Sequence, residues 1–240
     1  FIPVFNGDTS GDAILNFGSD STFAGEDTGG AAAADSKGFG DFYYTPPSGF
    51  LALCTNNLPE PAATPSEHFN TVLYTGNGSA QAISGVGFQP DWVWLKRRSS
   101  DQNHNLFDSQ RGTNKTLAVN VGDAEGSVSQ FLNSFDSDGF TVGSAGNVSA
   151  NGETNVSWNW KAGTTGSGTT TGSGTGKAYS YSVNTTGGFS LVKYVGNGTA
   201  GHTIPHHLGA TADFVIVKGR ENTEAFQVIS KGLAADQFIQ

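Results

Sequence analysis

The stretch that decides the fold occurs twice: residues 69–78 read FNTVLYTGNG and residues 189–198 read FSLVKYVGNG. The two copies share Phe, Val and Tyr and a Gly-Asn-Gly turn at the same spacing. A run rich in aromatic and β-branched residues that ends in small turn-forming residues is typical of a β-strand followed by a turn. Because this pattern recurs within one chain, the sequence predicts tandem copies of one β module.

A second match follows each of these stretches, with DWVWLKRR at residues 91–98 and DFVIVKGR at residues 213–220. The first copy continues through further strand patterns at residues 105–108, 128–135, 139–142 and 155–160. That number of short strands is enough for a small sandwich or jelly roll. We therefore predict a β-sandwich module over residues 67–163 and an incomplete second copy over residues 184–240.

The segment between the two copies has an unusual composition, since residues 162–176 contain only Ala, Gly, Ser and Thr. Such a segment has no side chain large enough to build a core, which is typical of a flexible linker. Residues 164–183 are therefore predicted as a Gly/Ser/Thr-rich linker. The predicted fold class is all-β, with tandem β-sandwich modules of jelly-roll or concanavalin-like type joined by such linkers.

The overall composition excludes several classes of function. The 240 residues include 34 glycines and carry a net charge of −9. This negative charge disfavours nucleic acid as a partner, because phosphate binding depends on Lys and Arg. No apolar run approaches the ~18 residues of a membrane span, so no membrane insertion is expected.

The single cysteine, Cys54, lies in an apolar run and is predicted to be a small buried residue. Both ends of the chain are interpreted as cuts through larger structure.

No complete catalytic motif occurs in the sequence, so we expect a protein that is not an enzyme and needs no cofactor. His202, His206 and His207 raise the question of a metal site, but no cysteine or well-spaced carboxylate completes the set, and a polar surface loop is the favoured interpretation. Asp136 and Asp138 resemble the start of a calcium loop but lack its downstream glutamate. An acidic hairpin turn explains them equally well.

The four tryptophans form two pairs, Trp92 with Trp94 and Trp158 with Trp160. Residues two apart on a strand point to the same face, so each pair shares one face. The favoured interpretation places all four rings in the sandwich core. The alternative is carbohydrate stacking by Trp158 and Trp160, whose strand has the polar alternation of a half-buried strand. The second copy replaces the first pair with Phe and Ile, which disfavours stacking there.

The residues before the first copy resemble the C-terminal part of the SPRY-like, concanavalin-type sandwich domains of marine phage tail proteins. The matching residues are 16–18, 22–25 and 40–55. The resemblance implies that residues 1–66 are the end of such a domain. The block after it is similar to the module that commonly follows there, at residues 71–78, 87–96, 104–109, 111–112, 134–140 and 158–163.

This resemblance implies a viral structural protein, a phage tail fibre or tail-associated protein that self-assembles and attaches to a host surface. Its expected partners are copies of itself and a host surface glycan or receptor, and its expected location is the virion tail or the extracellular space. The resemblance supplies no catalytic residues. A second hypothesis is a self-assembling extracellular fibril, in which neighbouring subunits complete open sheet edges by exchanging strands.

Overall fold

The computed structural model of the chain describes residues 16–23, 25, 32–59 and 63–233. The chain divides into two compact units, Phe1–Ala62 and Ala63–Gln240. Nearly all regular structure in the described residues is antiparallel β, which confirms the predicted all-β class. Residues 13–17, AILNF, have the apolar composition of a strand, but most of this run lies outside the described residues. None of the described residues belongs to a helix that is long and apolar enough to cross a membrane.

The regular elements are short. The strands are β1 (Phe69–Thr75), β2 (Gln81–Ser84), β3 (Trp92–Arg97), β4 (Asn105–Asp108), β5 (Lys115–Ala118), β6 (Gly126–Ser127), β7 (Leu132–Asp136), β8 (Gly139–Val142), β9 (Thr154–Trp160), β10 (Thr164–Thr169), β11 (Thr171–Gly172), β12 (Ala178–Asn184), β13 (Phe189–Tyr194), β14 (His202–Thr203), β15 (Phe214–Val217) and β16 (Gln227–Ser230). One α-helix, α1 (Gly146–Ser149), and two 3-10 turns, Thr55–Asn57 and Pro65–Glu67, complete the described set.

The first unit is organised around the buried side chain of Asp35. Its carboxylate accepts hydrogen bonds from the backbone N–H groups of Lys37, Phe39 and Ala52 and from the side chain of Asn57. These bonds connect segments whose regular structure, among the described residues, is one isolated β-bridge and one 3-10 turn. Cys54 is partly exposed here, so the prediction that it is buried is wrong.

The second unit contains a sandwich of two sheets. One sheet has six strands in the order β1-β9-β3-β4-β5-β6, and the other has three in the order β2-β8-β7. The apolar cluster between them includes Ile83, Val86, Phe88, Val93, Leu95, Phe107, Phe131, Leu132, Phe140, Val142 and Val148. Alternation along the strands explains this packing, since every second residue of β3 faces the core.

The predicted linker is wrong for residues 164–169 and 178–183, because β10 and β12 pair over their length and β12 pairs with β13. The glycines of β10 lie opposite large rings on its partner: Gly166 pairs with Tyr181, and Gly168 pairs with Tyr179. A Cβ added at Gly166 would lie 2.5 Å from the Tyr181 ring, so glycine is what lets the ring lie over this strand. The large side chains that β10 lacks are supplied by the tyrosines of its partner strand, β12.

The internal repeat of the sequence is present in the structure as a repeated hairpin. Trp92 pairs with Asp108 in the β3–β4 hairpin, and Phe214 pairs with Ser230 at the equivalent place of the β15–β16 hairpin. The turn after each first strand is also repeated, since Asn77 accepts a hydrogen bond from the N–H two residues on, and Asn197 does the same. The second copy within the described residues consists of β13, the short strand β14 and this hairpin.

Candidate functional site: an outer aromatic face

The candidate site is built on β3 and β9, which are adjacent in the six-stranded sheet. Their register places Trp94 opposite Trp158 and Trp92 opposite Trp160. All four rings therefore lie on the face of the sheet that points away from the sandwich core. The core-facing positions of β3 are Val93 and Leu95, both buried.

The favoured interpretation that these tryptophans fill the sandwich core is wrong. All four are partly exposed, and the buried face of β9 instead carries Asn155, Ser157 and Asn159. Asn159 Nδ2 donates to the backbone carbonyl of Asn70 on β1 at 3.1 Å and to Ser157 Oγ at 3.0 Å. Small polar residues can be buried when their hydrogen bonds are made within the sheet. Alternation alone did not indicate which face would be inside.

Trp160, one of the two residues for which carbohydrate stacking is the alternative interpretation, lies in a cluster of rings. Its centroid is 4.6 Å from that of Phe69, 6.4 Å from that of Trp92 and 6.1 Å from that of Phe189, with which it is stacked. Phe189 belongs to β13, the first strand of the second copy. This end of the aromatic face therefore holds the two copies together, and Trp160 has a packing role.

Trp158 has a different environment. Its ring centroid lies 5.6 Å from that of Trp94, at an interplanar angle of 62°. Trp94 Nε1 donates a hydrogen bond of 3.1 Å to Nδ1 of His104. Burial, with a smaller contribution from the charge of Lys96, holds the pKa of His104 below its ordinary value of 6.5. The histidine is therefore neutral at neutral pH and free to accept this hydrogen bond.

Polar groups surround this second ring pair. Thr71 on β1 is exposed and lies opposite Trp158, and Lys96 follows Trp94 on the same face of β3. Lys96 Nζ is held by the carbonyl of Gln102 at 2.7 Å. We call the surface formed by Thr71, Trp94, Lys96, His104 and Trp158 the tryptophan patch. Rings that present an apolar face beside hydrogen-bonding groups suit a pyranose ring, which itself has an apolar face and a hydroxyl rim.

The three histidines of the second copy have separate partners. His202 hydrogen-bonds to Thr170, and His207 stacks on Tyr181 with a centroid separation of 3.7 Å. His206 Nδ1 accepts a hydrogen bond from the N–H of Leu208. Within the described parts of the chain, no group of three or more His, Cys, Asp or Glu side chains could hold a metal ion.

The acidic segment before β8 acts as a hairpin turn. Asp138 accepts hydrogen bonds from the N–H groups of Gly87 at 2.6 Å and Gly85 at 3.1 Å, and these two bonds lower its pKa. Asp136 accepts from the hydroxyl of Thr141 at 2.7 Å. Both carboxylates thus stabilise the connection between β2, β7 and β8.

A buried ion-pair cluster, which the sequence analysis did not find, joins the two copies. Arg111 contacts Asp108 and lies 3.3 Å from Glu125, and the Arg220 guanidinium makes two hydrogen bonds to Glu125, of 2.9 and 2.7 Å. Burial alone would raise the pKa of Glu125, but the hydrogen bonds and charges of the two arginines outweigh it and lower the pKa. Arg111 and Arg220 lie 14 and 95 residues from Glu125 in the sequence. No short sequence motif covers these separations, so the sequence alone does not indicate the cluster.

Comparison with known proteins matches one family model. No curated protein matches the chain, and no solved structure matches it. A family model described as a domain of unknown function, DUF7483, matches residues 64–240. This match covers nearly all of the second unit, from the 3-10 turn before β1 onward, so the chain belongs to the DUF7483 family.

Proposed function

We propose that this chain is a non-enzymatic structural protein of a phage tail fibre or tail-associated assembly, and that it attaches to a host surface glycan through the tryptophan patch. The observation that carries the attachment proposal is the pair Trp94–Trp158, two partly exposed rings held side by side on a rigid sheet. The repeated β module and the resemblance of the sequence to phage tail proteins support the virion context.

The rigidity of the patch favours binding. Both rings stand on central strands of a six-stranded sheet, and Trp94 is also fixed by its hydrogen bond to His104. Little side-chain freedom is therefore lost when a ligand binds. Aromatic contacts contribute about 0.5–1.5 kcal/mol beyond area burial. A single patch would thus bind weakly, and many copies in a fibre would supply avidity.

The charge of the chain narrows the class of glycan. A net charge of −9 repels a strongly anionic polysaccharide. The patch itself adds one cation, Lys96, whose ammonium already contacts a backbone carbonyl. A neutral surface glycan is therefore the proposed ligand.

Glycan binding is tested by titrating the protein with neutral oligosaccharides and recording tryptophan fluorescence and the dissociation constant. We expect Trp158→Ala to weaken binding at least tenfold. Phe214→Ala is the matched control, because Phe214 is an exposed aromatic residue of the same unit outside the patch. Equal binding by wild type and Trp158→Ala contradicts the attachment proposal.

The virion context is tested separately. Antibodies against the second unit should label the tails of purified particles of the virus that encodes the chain, and mass spectrometry should detect the protein in those particles. Particles that lack the protein contradict this part of the proposal, whatever the result with glycans.

A second candidate function is a self-assembling extracellular fibril whose subunits exchange strands. The observation that favours it is the position of β13 and β15, each of which has one edge that pairs with no strand among the described residues. Open edges pair readily with an added strand. Sedimentation of the purified protein over a range of concentrations tests it: end-to-end oligomers with sheets continuous across subunits are expected, and a strictly monomeric protein contradicts it.

A further inference from the structure

We propose that the gap between β13 and β15 is a binding slot for one added β-strand with the sequence pattern of β9, supplied by a partner segment of that chemistry. The inference rests on the self-assembly part of the proposed function and names the kind of segment that assembly would use. In the first copy, the equivalent place between β1 and β3 is occupied by β9.

The hairpins of the two copies use the same edge of their first strand. In the first copy, the N–H of Ser109 donates to the carbonyl of Asp91 at 2.8 Å, and in the second the N–H of Lys231 donates to the carbonyl of Asp213 at 2.8 Å. Together with the equal strand registers, this places β16 on the same edge of β15 that β4 occupies on β3. The other edge of β3 binds β9. The corresponding edge of β15 has no strand among the described residues.

The opposite wall of the slot corresponds to β1 of the first copy. In the first copy β9 also pairs with β1, with terminal hydrogen bonds from Gly76 N to Glu153 O and from Lys161 N to His68 O. The counterpart of β1 is β13, which pairs with β12 and ends its sheet. The first copy thus has the strand order β1-β9-β3. The second copy has β13 and β15 with no strand between them among the described residues.

A cavity of about 580 Å³ lies between β13 and β15, and the outer face of the six-stranded sheet forms its floor. Ser190 and Val192 line one wall, Ile216 and Gly219 the other, and Leu106 lies at the floor. Ser190 Oγ is buried without a hydrogen-bond partner. Such a group is costly unless a hydrogen-bond partner reaches it.

Apolar residues of the second copy are exposed where their counterparts in the first copy are buried. Val93 and Phe107 are 0% exposed in the first copy, whereas the equivalent Val215 and Ile229 are 37% and 44% exposed. The second copy therefore presents an apolar surface beside the slot. A strand that completes the sheet would extend this surface and bury part of it.

The pattern of β9 fits the slot. Ser190 stands in β13 where Asn70 stands in β1, and Asn70 is the residue whose carbonyl binds Asn159 of β9. A strand with alternating aromatic and small polar residues would place an amide next to the backbone carbonyl of Ser190, as Asn159 does at the carbonyl of Asn70. Its aromatic residues would then face the floor of the cavity, as those of β9 face Phe189 and Trp92.

The probe for the experiment is a synthetic, fluorescently labelled peptide with the sequence of residues 153–161. The matched control peptide has proline at the positions of Ser157 and Asn159, which keeps both tryptophans but removes the strand. We expect saturable binding of the first peptide to the intact protein, with at least tenfold weaker binding of the second. Hydrogen exchange should show new protection of backbone amides in both β13 and β15.

A protein variant separates the slot from other surfaces. Ile216 is partly exposed, so Ile216→Arg is expected to fold, and it should weaken peptide binding at least tenfold, whereas Trp158→Ala should not. Absence of binding, or protection confined to residues outside β13 and β15, overturns the slot. Protein that binds the peptide but stays monomeric on its own upholds the slot and contradicts self-assembly. Oligomers that persist when the peptide saturates the slot also contradict assembly by strand exchange, without affecting the slot.

Discussion

Trp94 and His104 are joined by a hydrogen bond of 3.1 Å from the indole N–H to Nδ1 of the imidazole. The bond requires Nδ1 to be unprotonated, and the lowered pKa of His104 ensures this at neutral pH. The tryptophan patch therefore depends on the charge state of one histidine at its rim.

Acidification should break this bond. Because the pKa of His104 in the folded state is below its ordinary value of 6.5, the contribution of the bond is fully present above pH 6.5 and is lost as the pH falls through the lower folded pKa. Tryptophan fluorescence and glycan affinity should both change as the pH falls from 7.5 towards 5. His104→Asn, whose amide oxygen can accept the same bond without titrating, should abolish the change in this range. A change that persists in this variant assigns the effect to another group.

Loss of the charge of Glu125 should loosen the contact between the copies. Glu125→Gln leaves Arg111, whose side chain is only 5% exposed, with one carboxylate instead of two. We expect a loss of about 2 kcal/mol in the free energy of unfolding, less than the ~3–5 kcal/mol for breaking a fully buried pair because Arg220 remains partly in water. Urea unfolding of the intact chain measures it.

The matched control for Glu125 is Asp213→Asn. Asp213 pairs with Lys231 on the surface, where both side chains are more than two-thirds exposed, at 71% and 74%. Such a pair contributes about 0–1 kcal/mol. Equal losses in the two variants would contradict the assignment of Glu125 as the link between the copies.

The sequence predicted which residues form strands better than it predicted which face of each strand is buried. The two copies of the Phe-to-Gly-Asn-Gly stretch gave β1 and β13, and the Asp-led matches gave β3 and β15, because a run of β-branched and aromatic residues has few other conformations. Strand β10 was mistaken for part of a linker for a physical reason. Thr164–Thr169 has no bulk of its own, and the rings of Tyr179 and Tyr181 come from a strand nine or more residues away.

The candidate site was predicted only in part. The spacing of Trp158 and Trp160 correctly put both rings on one face, but it did not show that Trp94 would be the neighbour of Trp158 or that Phe189 would cover Trp160. Those neighbours follow from strand order and register, which a single sequence does not specify. The ion-pair cluster of Glu125 was missed for the same reason.

Gly139 should tolerate no side chain. It begins β8 with a φ of 151°, and a Cβ there would lie 1.9 Å from the carbonyl oxygen of Ile83 on β2. Because that oxygen belongs to the backbone of a paired strand, relief requires the β2–β8 pair to separate. We expect Gly139→Ala to lower the free energy of unfolding by more than about 2 kcal/mol, the size typical of a severe local clash. Gly232→Ala, with open space around it, is the control and should be nearly neutral.

Asp35 makes the first unit sensitive to acid. Burial alone would raise its pKa, but three backbone N–H groups and the Asn57 amide lower the pKa from 3.8 to about 2. The carboxylate is therefore stabilised in the folded state, and its contribution is complete above pH 3.8 and is lost as the pH falls towards 2. Hydrogen exchange of residues 32–59 should accelerate over this interval, and Asp35→Asn should show fast exchange already at pH 7. Asp41→Asn removes another carboxylate of the same unit and should leave the exchange slow at pH 7. Equal acceleration in both variants would mean that net charge, and not the hydrogen bonds to Asp35, governs this unit.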